Sequence, residues 1–406
     1  MNAWPVKSLE HLIVRLENGA RPKGGVSGIP EGVLSIGGEH LNDKGGFQLD
    51  NAKFIPEDFF NSIAKGVIQP DDILIVKDGA TTGKTAFVGK DFPHARAAIN
   101  EHVFLLRVDG KQALPKFIFY FLFGPLGRAQ VLSSFRGAAI GGIGKDFVRR
   151  VQIPLPRLSE QERIVSILEE ADLLRRVRAH VEERTHGLIE SLYLNTFWQS
   201  KDQKAWSAES VADLAEKRDG SIRTGPFGSQ LLHSEFEDKG IPVLGIDNVV
   251  ANDFRWTTAR CISPEKFKQF ERFRVFPGDV LVTIMGTVGR VSVAPDDLPL
   301  CISTKHLCVI TPDRSKINPY FLWAALLFDP EVQRQKAGIG NGAIMEGWNS
   351  TIIRQLTLYL PPLALQHTFV AYIAEIVALK RQQAANRKLI EDLFDSLLSR
   401  AFRGDL

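Results

Sequence analysis

The sequence predicts an α+β protein in which one α+β domain and one long helix each occur twice. Three observations carry the prediction. A helix-spaced stretch repeats at a constant offset, prolines stop a strand just ahead of each copy, and short β-rich runs bounded by Gly, Pro and Asp fill the segments before them.

The repeat comes first. Residues 151–198 and 356–402 fall into step at an offset of 205 positions. Pro156 meets Pro361, Gln161 meets Gln366, Leu174 meets Leu379, Arg176 meets Arg381, Leu188 meets Leu393 and Phe197 meets Phe402. No insertion separates the copies, which implies two equivalent halves related by a pseudo-twofold. Within each copy the helix must start after Pro154 and Pro156, or after Pro361 and Pro362, because proline breaks a helix interior. In the first copy Ser159 is the expected N-cap, with Glu162 completing a capping box. Ile164, Ile167, Leu168, Ala171, Leu174, Val177, Val181, Leu188 and Leu192 then recur at spacings of three and four, uninterrupted until Gly187. Val370, Ile373, Val377, Ala384, Leu389, Leu393 and Leu397 do the same in the second. About 38 residues at ~1.5 Å each make a rod of roughly 55–60 Å. A narrow apolar stripe on a rod that long calls for a partner rod.

The segments ahead of the helices correspond more loosely. Pro70-Asp71-Asp72-Ile73-Leu74 parallels Pro277-Gly278-Asp279-Val280-Leu281, and His102 in EHVFLLRV parallels His306 in KHLCVITP. Ile73–Val76, Val103–Val108, Val280–Ile284 and Leu307–Ile310 read as strands of a sheet. Pro115–Val131 and Pro319–Lys336 read as helices. The expected organisation is a domain over 1–150, a helix over 151–200, a domain over 201–354 and a helix over 355–406. The loops diverge where the helices do not: GARPKGGVSG between Asn18 and Pro30 has RTGPFGSQLLHSEFEDKG as its counterpart. Matched rods with unmatched loops suggest one task performed on two different targets.

Composition excludes little. A formal charge of +3 and 44% apolar residues fit a folded chain without a strong field. Cys261, Cys301 and Cys308 have no ligand-like spacing, so a reducing compartment is the default. The N-terminus lacks an apolar signal region, and the longest apolar run, Phe117 to Phe123, is far too short to span a bilayer. A cytoplasmic protein is expected.

Most catalytic motifs fail on spacing. Gly79-Ala80-Thr81-Thr82-Gly83-Lys84-Thr85 has three residues between its glycines where the nucleotide loop needs four, and a strand-like stretch follows it. A tight hairpin is the better reading. Its partner Gly286-Thr287-Val288-Gly289-Arg290 has no lysine. Residues 137–145 and 338–342 are glycine-rich but sit in no βαβ unit. Asn318-Pro319-Tyr320 lacks one proline of the adenine-methyltransferase tetrapeptide and reads as a helix start. No HExxH, cysteine pair or acidic cluster suggests a metal, and His102 and His306 read as structural strand residues. No catalytic residue is assigned.

Recognition chemistry remains. Arg, Lys, Asn and Gln make bidentate contacts to base edges, and glycine loops let a backbone approach phosphates. Arg21, Lys23, His40, Asn42, Lys84 and Arg136 supply these groups in the first half. Arg223, Ser229, Asn248, Arg290, Asn341 and Asn349 supply them in the second.

The stretches IPLPRLSEQERIV, LYLPPLALQ, FGSQLLHSEFEDKGIPVLGIDNV, DDILIVKDGATTGKTA and GDVLVTIMGTVGRV together resemble the DNA-specificity subunit of type I restriction–modification systems, over the whole chain. One departure is Leu365-Gln366-His367 in place of Glu160-Gln161-Glu162. The resemblance implies two target-recognition domains separated by two long antiparallel coiled-coil helices. Each domain would read one half of a bipartite, asymmetric site in double-stranded DNA. Two modification (methyltransferase) subunits would dock on the helices and restriction (motor–nuclease) subunits would join them. S-adenosylmethionine, ATP and Mg would belong to those partners, with no cofactor in this chain. On that framework Gln161, Leu174, Arg176, Leu188, Gln366, Leu379, Arg381 and Leu393 are the candidate docking and spacer residues. A free-standing nuclease or methyltransferase with divergent motifs, and a coiled-coil scaffold that binds only protein, are the competing readings.

Overall fold

The computed structural model describes residues 4–136, 141–227, 230–257, 260–339 and 348–406. The chain divides into two units, Met1–His180 with Ala384–Leu406, and Val181–Gln383. The division cuts through the long helices, so each unit holds a part of both.

The first unit opens with β1 (Val6–Ser8), β2 (Ile13–Asn18), β3 (Val33–Ile36), β4 (Phe54–Ile55) and α1 (Glu57–Ser62). Next come β5 (Ile73–Val76), β6 (Thr85–Phe87), β7 (Ala97–Ile99) and β8 (Val103–Val108). Then follow α2 (Pro115–Phe123), α3 (Pro125–Leu132), β9 (Phe135–Arg136), β10 (Gly142–Ile143), α4 (Phe147–Arg150), β11 (Gln152–Pro154) and α5 (Leu158–His186). An antiparallel sheet runs in the order β2–β8–β5–β6, and a smaller one in the order β4–β3–β7 has β3 parallel to β7. β5 is apolar throughout because both its faces are covered. Ile73 and Ile75, with Phe104 and Leu106 of β8, face α2 and α3; Leu74 and Val76, with Val103 and Leu105, face the smaller sheet. The period of two along a strand sends successive side chains into the two cores.

The second unit repeats this plan. It begins at the end of α5 and continues through α6 (Leu188–Tyr193), β12 (Ala208–Ser210), α7 (Val211–Leu214), β13 (Ile222–Thr224) and β14 (Ile241–Leu244). β15 (Val249–Val250), β16 (Asp253–Phe254), β17 (Cys261–Ile262), α8 (Pro264–Phe270) and β18 (Arg274–Val275) lead to β19 (Val280–Thr283), β20 (Val291–Val293), β21 (Cys301–Ser303) and β22 (Leu307–Ile310). α9 (Pro319–Phe328), α10 (Pro330–Ile339), α11 (Ser350–Gln355), β23 (Thr357–Tyr359) and α12 (Leu363–Ala401) complete the elements. The order β13–β22–β19–β20 matches β2–β8–β5–β6, and β14 runs parallel to β21 as β3 does to β7. β12 pairs with β23 as β1 pairs with β11. The α+β class and the internal repeat expected from the sequence are both present.

Four expectations about the helices need correction. The stretch 115–131 is two helices, because Pro125 cannot continue α2 and starts α3 instead; Pro330 separates α9 from α10 in the same way. The first long helix ends at His186 and resumes after Gly187, whereas α12 runs unbroken for 39 residues. Ser159 is not the N-cap. α5 begins at Leu158, and the Arg157 carbonyl accepts from the Gln161 amide just as the Pro362 carbonyl accepts from the Gln366 amide. The inward stripe of α5 is Ile164, Leu168, Ala171 and then Arg175, while Leu174 and Val177 are exposed. Arg175 displaces them because its guanidinium lies 4.3 Å from the Phe394 ring and 2.5 Å from Asp172.

Helix α12 is long and apolar enough to cross a bilayer by length and composition. Its apolar residues are used otherwise. Phe369 and Ile373 lie in the core of the second unit, and Phe394, Leu398 and Ala401 in that of the first. The ring of Phe402, just beyond the helix, packs 5.1 Å from Phe117 and 5.2 Å from Phe121. Each fully buried aromatic of this kind contributes about 1.5–3 kcal/mol. Within each unit the two long helices run antiparallel. In the first, Arg163 reaches Leu406 and Arg175 reaches Glu391; in the second, Thr185 bonds Gln383 and Tyr193 packs on Phe369.

Candidate nucleic-acid interface

Several residues picked from the sequence for base contact are used inside the fold. His40 is buried: its Nδ1 accepts from the Gly37 amide at 2.8 Å and its Nε2 lies 3.2 Å from the Asn51 carbonyl. Asn248 does the same task in the second unit, accepting from the Gly245 amide at 2.9 Å and donating to the Arg255 carbonyl at 3.0 Å. These two side chains close equivalent tight turns after β3 and β14. Asn42 holds its own loop by accepting from Lys44 and Gly46 and donating to Phe47. Asn349 caps α11 through the Ile352 amide. Arg223 is buried, 2.6 Å from Asp279 and bonded to the Arg274 and Gly220 carbonyls. Short polar side chains satisfy nearby backbone groups first, and a buried guanidinium needs a carboxylate. His40, Asn42, Asn248, Asn349 and Arg223 are therefore structural in this fold. Ser229 and Asn341 lie outside the described residues.

What remains converges on one end of each large sheet. In the first unit this end gathers the last residues of β2 and β5 and the turn before β8. Gly19 is required there, since a Cβ would overlap the Ile99 carbonyl oxygen. Arg21 is largely exposed and sits 3.1 Å from Glu101. His102 is held between Asp78, at 2.5 Å from Nδ1, and Glu101, at 3.5 Å from Nε2; Lys77 is 3.7 Å from Asp78. The paired strands β9 and β10 join this edge through the Ile143 amide, which donates to the Lys77 carbonyl at 2.7 Å. β9 carries Arg136, mostly exposed and 3.5 Å from Asp146. Lys23 is exposed nearby in sequence on the loop after β2. The glycine hairpin of residues 79–83 is a turn between β5 and β6, as expected, with Gly79 and Gly83 at positive φ. Its Lys84 is mostly buried and paired with Asp43 at 2.9 Å, so it is not a free cation at the tip.

The second unit builds the same end with other side chains. Gly225 packs against the Ser303 carbonyl as Gly19 does against Ile99. The Ile284 amide donates to the His306 carbonyl, and Trp348 donates to Ile284, mirroring Lys77 to His102 and Ile143 to Lys77. These bonds align Glu101 with Lys305 and Asp78 with Met285. Arg260 approaches Asp247 at 2.5 Å, with its guanidinium filling the space a side chain at Gly245 would need. Burial, and then the charges of Lys305 and Arg260, push the His306 pKa below the ordinary histidine value. Arg290 follows the second hairpin, where its amide donates to the Thr283 hydroxyl at 3.0 Å. Lys77, Arg260 and Lys305 are not among the residues expected from the sequence. His102 and His306 are not the strand residues expected but stand in the turn before a strand; their recurrence in EHVF and KHLC is the available signal.

The helix candidates divide into two groups. Gln161 and Gln366 are fully buried joints, not docking residues. Gln161 accepts from the Leu114 amide at 2.9 Å and donates to the Pro156 carbonyl at 2.9 Å. Gln366 accepts from Asn318 at 2.8 Å and donates to Pro361 at 2.9 Å. Each pins the start of a long helix to the start of α2 or α9. Leu174, Arg176, Leu188, Leu379, Arg381 and Leu393 are exposed, and Leu173 and Leu389 extend the apolar surface they offer. Among the described residues no cluster of His, Cys, Asp and Glu is placed to hold a metal ion.

Known proteins bear on this geometry. The model of the type I restriction modification DNA specificity domain matches residues 35–182 and again 206–388. The EcoBI specificity subunit of Escherichia coli is 21% identical over 370 residues, covering 84% of this chain and 74% of that protein. The MjaVIII specificity subunit of Methanocaldococcus jannaschii is 23% identical over 223 residues, 54% of this chain, and the match spans about half, 51%, of that subunit. Among solved structures, a chain from work on complex assembly and conformational transition of the type I R-M system superposes with a TM-score of 0.64 at 20% identity, covering 100% of this chain and 99% of that one. The type I restriction-modification system S subunit from M. genitalium gives 0.56 at 14% identity, covering 98% and 96%. These likenesses establish the shared fold. The twice-matched domain, falling on two units that repeat one topology, places the chain in the type I restriction modification DNA specificity family.

Proposed function

We propose that the chain is the sequence-specific DNA-binding subunit of a type I restriction–modification complex, acting in the cytoplasm. Each α+β unit reads one half of a bipartite, asymmetric site in double-stranded DNA. The repeated helices set the gap between the half-sites and present Leu174, Arg176, Leu379, Arg381 and Leu393 to two modification subunits, with restriction subunits joining the assembly. Catalysis belongs to those partners, together with S-adenosylmethionine, ATP and Mg; this chain recognises and positions.

One observation carries the reading. The same strand-end face is built twice on the same backbone bonds, but with Glu101 and Asp78 in one unit and Lys305 and Met285 in the other. A repeated frame holding different side chains is what two readers of two different base sequences require, because base edges differ in their donor and acceptor pattern. The test exchanges residues 1–150 for those of another family member and maps methylated sites in cells carrying the full assembly. One half of the recognised site should change while the other stays. A change in both halves would sink the assignment of one unit to one half-site.

A further inference from the structure

The strand-end face of the second unit contains a cavity of about 350 Å³. Leu231, Phe236 and Ile246 give it an apolar lining, and Arg260, Lys305 and His306 line it as well. No carboxylate lines it among the described residues; Asp247 stands outside, held by Arg260. Thr304 also lines the cavity, and its hydroxyl is buried without a hydrogen-bond partner. At the position of Lys305 the first unit has Glu101, which is engaged with Arg21 and His102.

A bare phosphate would not need an apolar lining, and an apolar side chain would not need two cations, Arg260 and Lys305, beside it. A nucleotide needs both. Bases stack on apolar and aromatic surfaces, and their backbone seeks arginine and lysine. A base inside a duplex cannot enter a cavity, so it must first leave the stack, at a cost of a few kcal/mol that is smallest when it is already mispaired.

Resting on the DNA-binding reading above, we propose that this cavity receives one extrahelical nucleotide of the second half-site. The base lies against Leu231, Phe236 and Ile246 with His306 at its edge, and the flanking phosphates meet Arg260 and Lys305. The depressed pKa of His306 keeps its imidazole neutral at physiological pH, with one donor and one acceptor for a base edge. Discrimination then comes from which base is easily extruded and fits, in addition to groove contacts.

The experiment uses the full chain in its assembled complex and duplexes bearing the target identified by methylome mapping. Each base pair of the second half-site is replaced in turn by a mismatch, and affinity is measured. At one position other than the methylated base, the mismatch should tighten binding by about tenfold or more, because the unpairing cost is removed. Leu231→Trp, which fills the cavity, should abolish that gain yet leave binding to a duplex with an abasic nucleotide at the same position. Lys305→Glu, which installs the charge of Glu101, should also abolish the gain and does not depend on repacking the apolar lining. Selective binding with no such position, or a gain that survives both substitutions, overturns the proposal while leaving the recognition reading intact. Absence of selective binding by the unaltered complex would sink both.

Discussion

Replacing Gln366 by Leu tests whether the two long helices are anchored to their domains by a pair of glutamine joints. The side chain is fully buried; it accepts from the Asn318 amide at 2.8 Å and donates to the Pro361 carbonyl at 2.9 Å. Leucine has nearly the same volume, so little packing is lost. It leaves one backbone donor, the Asn318 amide, and two acceptors, the Pro361 carbonyl and the Lys316 carbonyl at 3.2 Å, without that partner, each buried group left unsatisfied costing about 1–3 kcal/mol. The expected loss is therefore at least about 3 kcal/mol, confined at first to the second unit. Gln161→Leu should do the same in the first unit through Leu114 and Pro156. Global denaturation of a two-unit chain is a poor readout, because it need not be two-state. Hydrogen exchange at the orphaned amides is better. Asn318 should lose protection by more than tenfold in Gln366→Leu, with Leu114 unaffected, and Gln161→Leu should show the reverse. Unchanged protection at both amides would mean that water or a local shift replaces the bonds, and the joint would carry no energy.

Three further outcomes are expected. Arg136→Ala and Arg290→Ala should each flatten the slope of log affinity against log salt by about 0.9, whereas Lys84→Ala should leave it unchanged, because Lys84 already faces Asp43; gel shifts across a salt series decide this. Lys336 lies over the Trp348 ring and donates to the Leu326 carbonyl, and burial holds its pKa down to about 8. Between that value and the ordinary lysine pKa the unfolded chain keeps a proton the folded chain has shed. Stability should thus rise with pH across the window, by roughly 3 kcal/mol, and urea titrations of Lys336→Met should lack the rise. Finally, inserting four residues after Arg178 adds about 1.1 turns and ~6 Å of helix, so the methylated site should gain one to two base pairs of spacer at ~3.4 Å each, with its half-sites unchanged. Methylation only at the original spacing would remove the helices as the ruler.

The sequence by itself determined what depends on periodicity and on backbone chemistry. A constant-offset repeat required two equivalent units, and Ile73–Val76 and Val103–Val108 were recognisable as strands because both faces of each are apolar. The glycine hairpins were legible because positive φ at Gly79, Gly83, Gly286 and Gly289 is cheap only for glycine. The helix breaks at Pro125 and Pro330 are equally legible in the sequence, beneath one long apolar pattern that runs across each. Only the tertiary structure decided which polar residues are free. His40 and Asn248 carry the right chemistry for base contact, yet each is enclosed by its own turn, and nothing local distinguishes them from Arg136, which is mostly exposed at the end of β9. Arg175 turns inward because Phe394, more than two hundred residues away, offers its ring, and Leu174 is displaced to the surface as a consequence. Each strand-end face gathers residues from loops far apart in the chain, so Lys77 in the first unit, and Arg260 and Lys305 in the second, gain their meaning from proximity that no spacing along the chain encodes. Periodicity reports which face of an element is apolar; the occupancy of a polar side chain depends on partners brought by the fold.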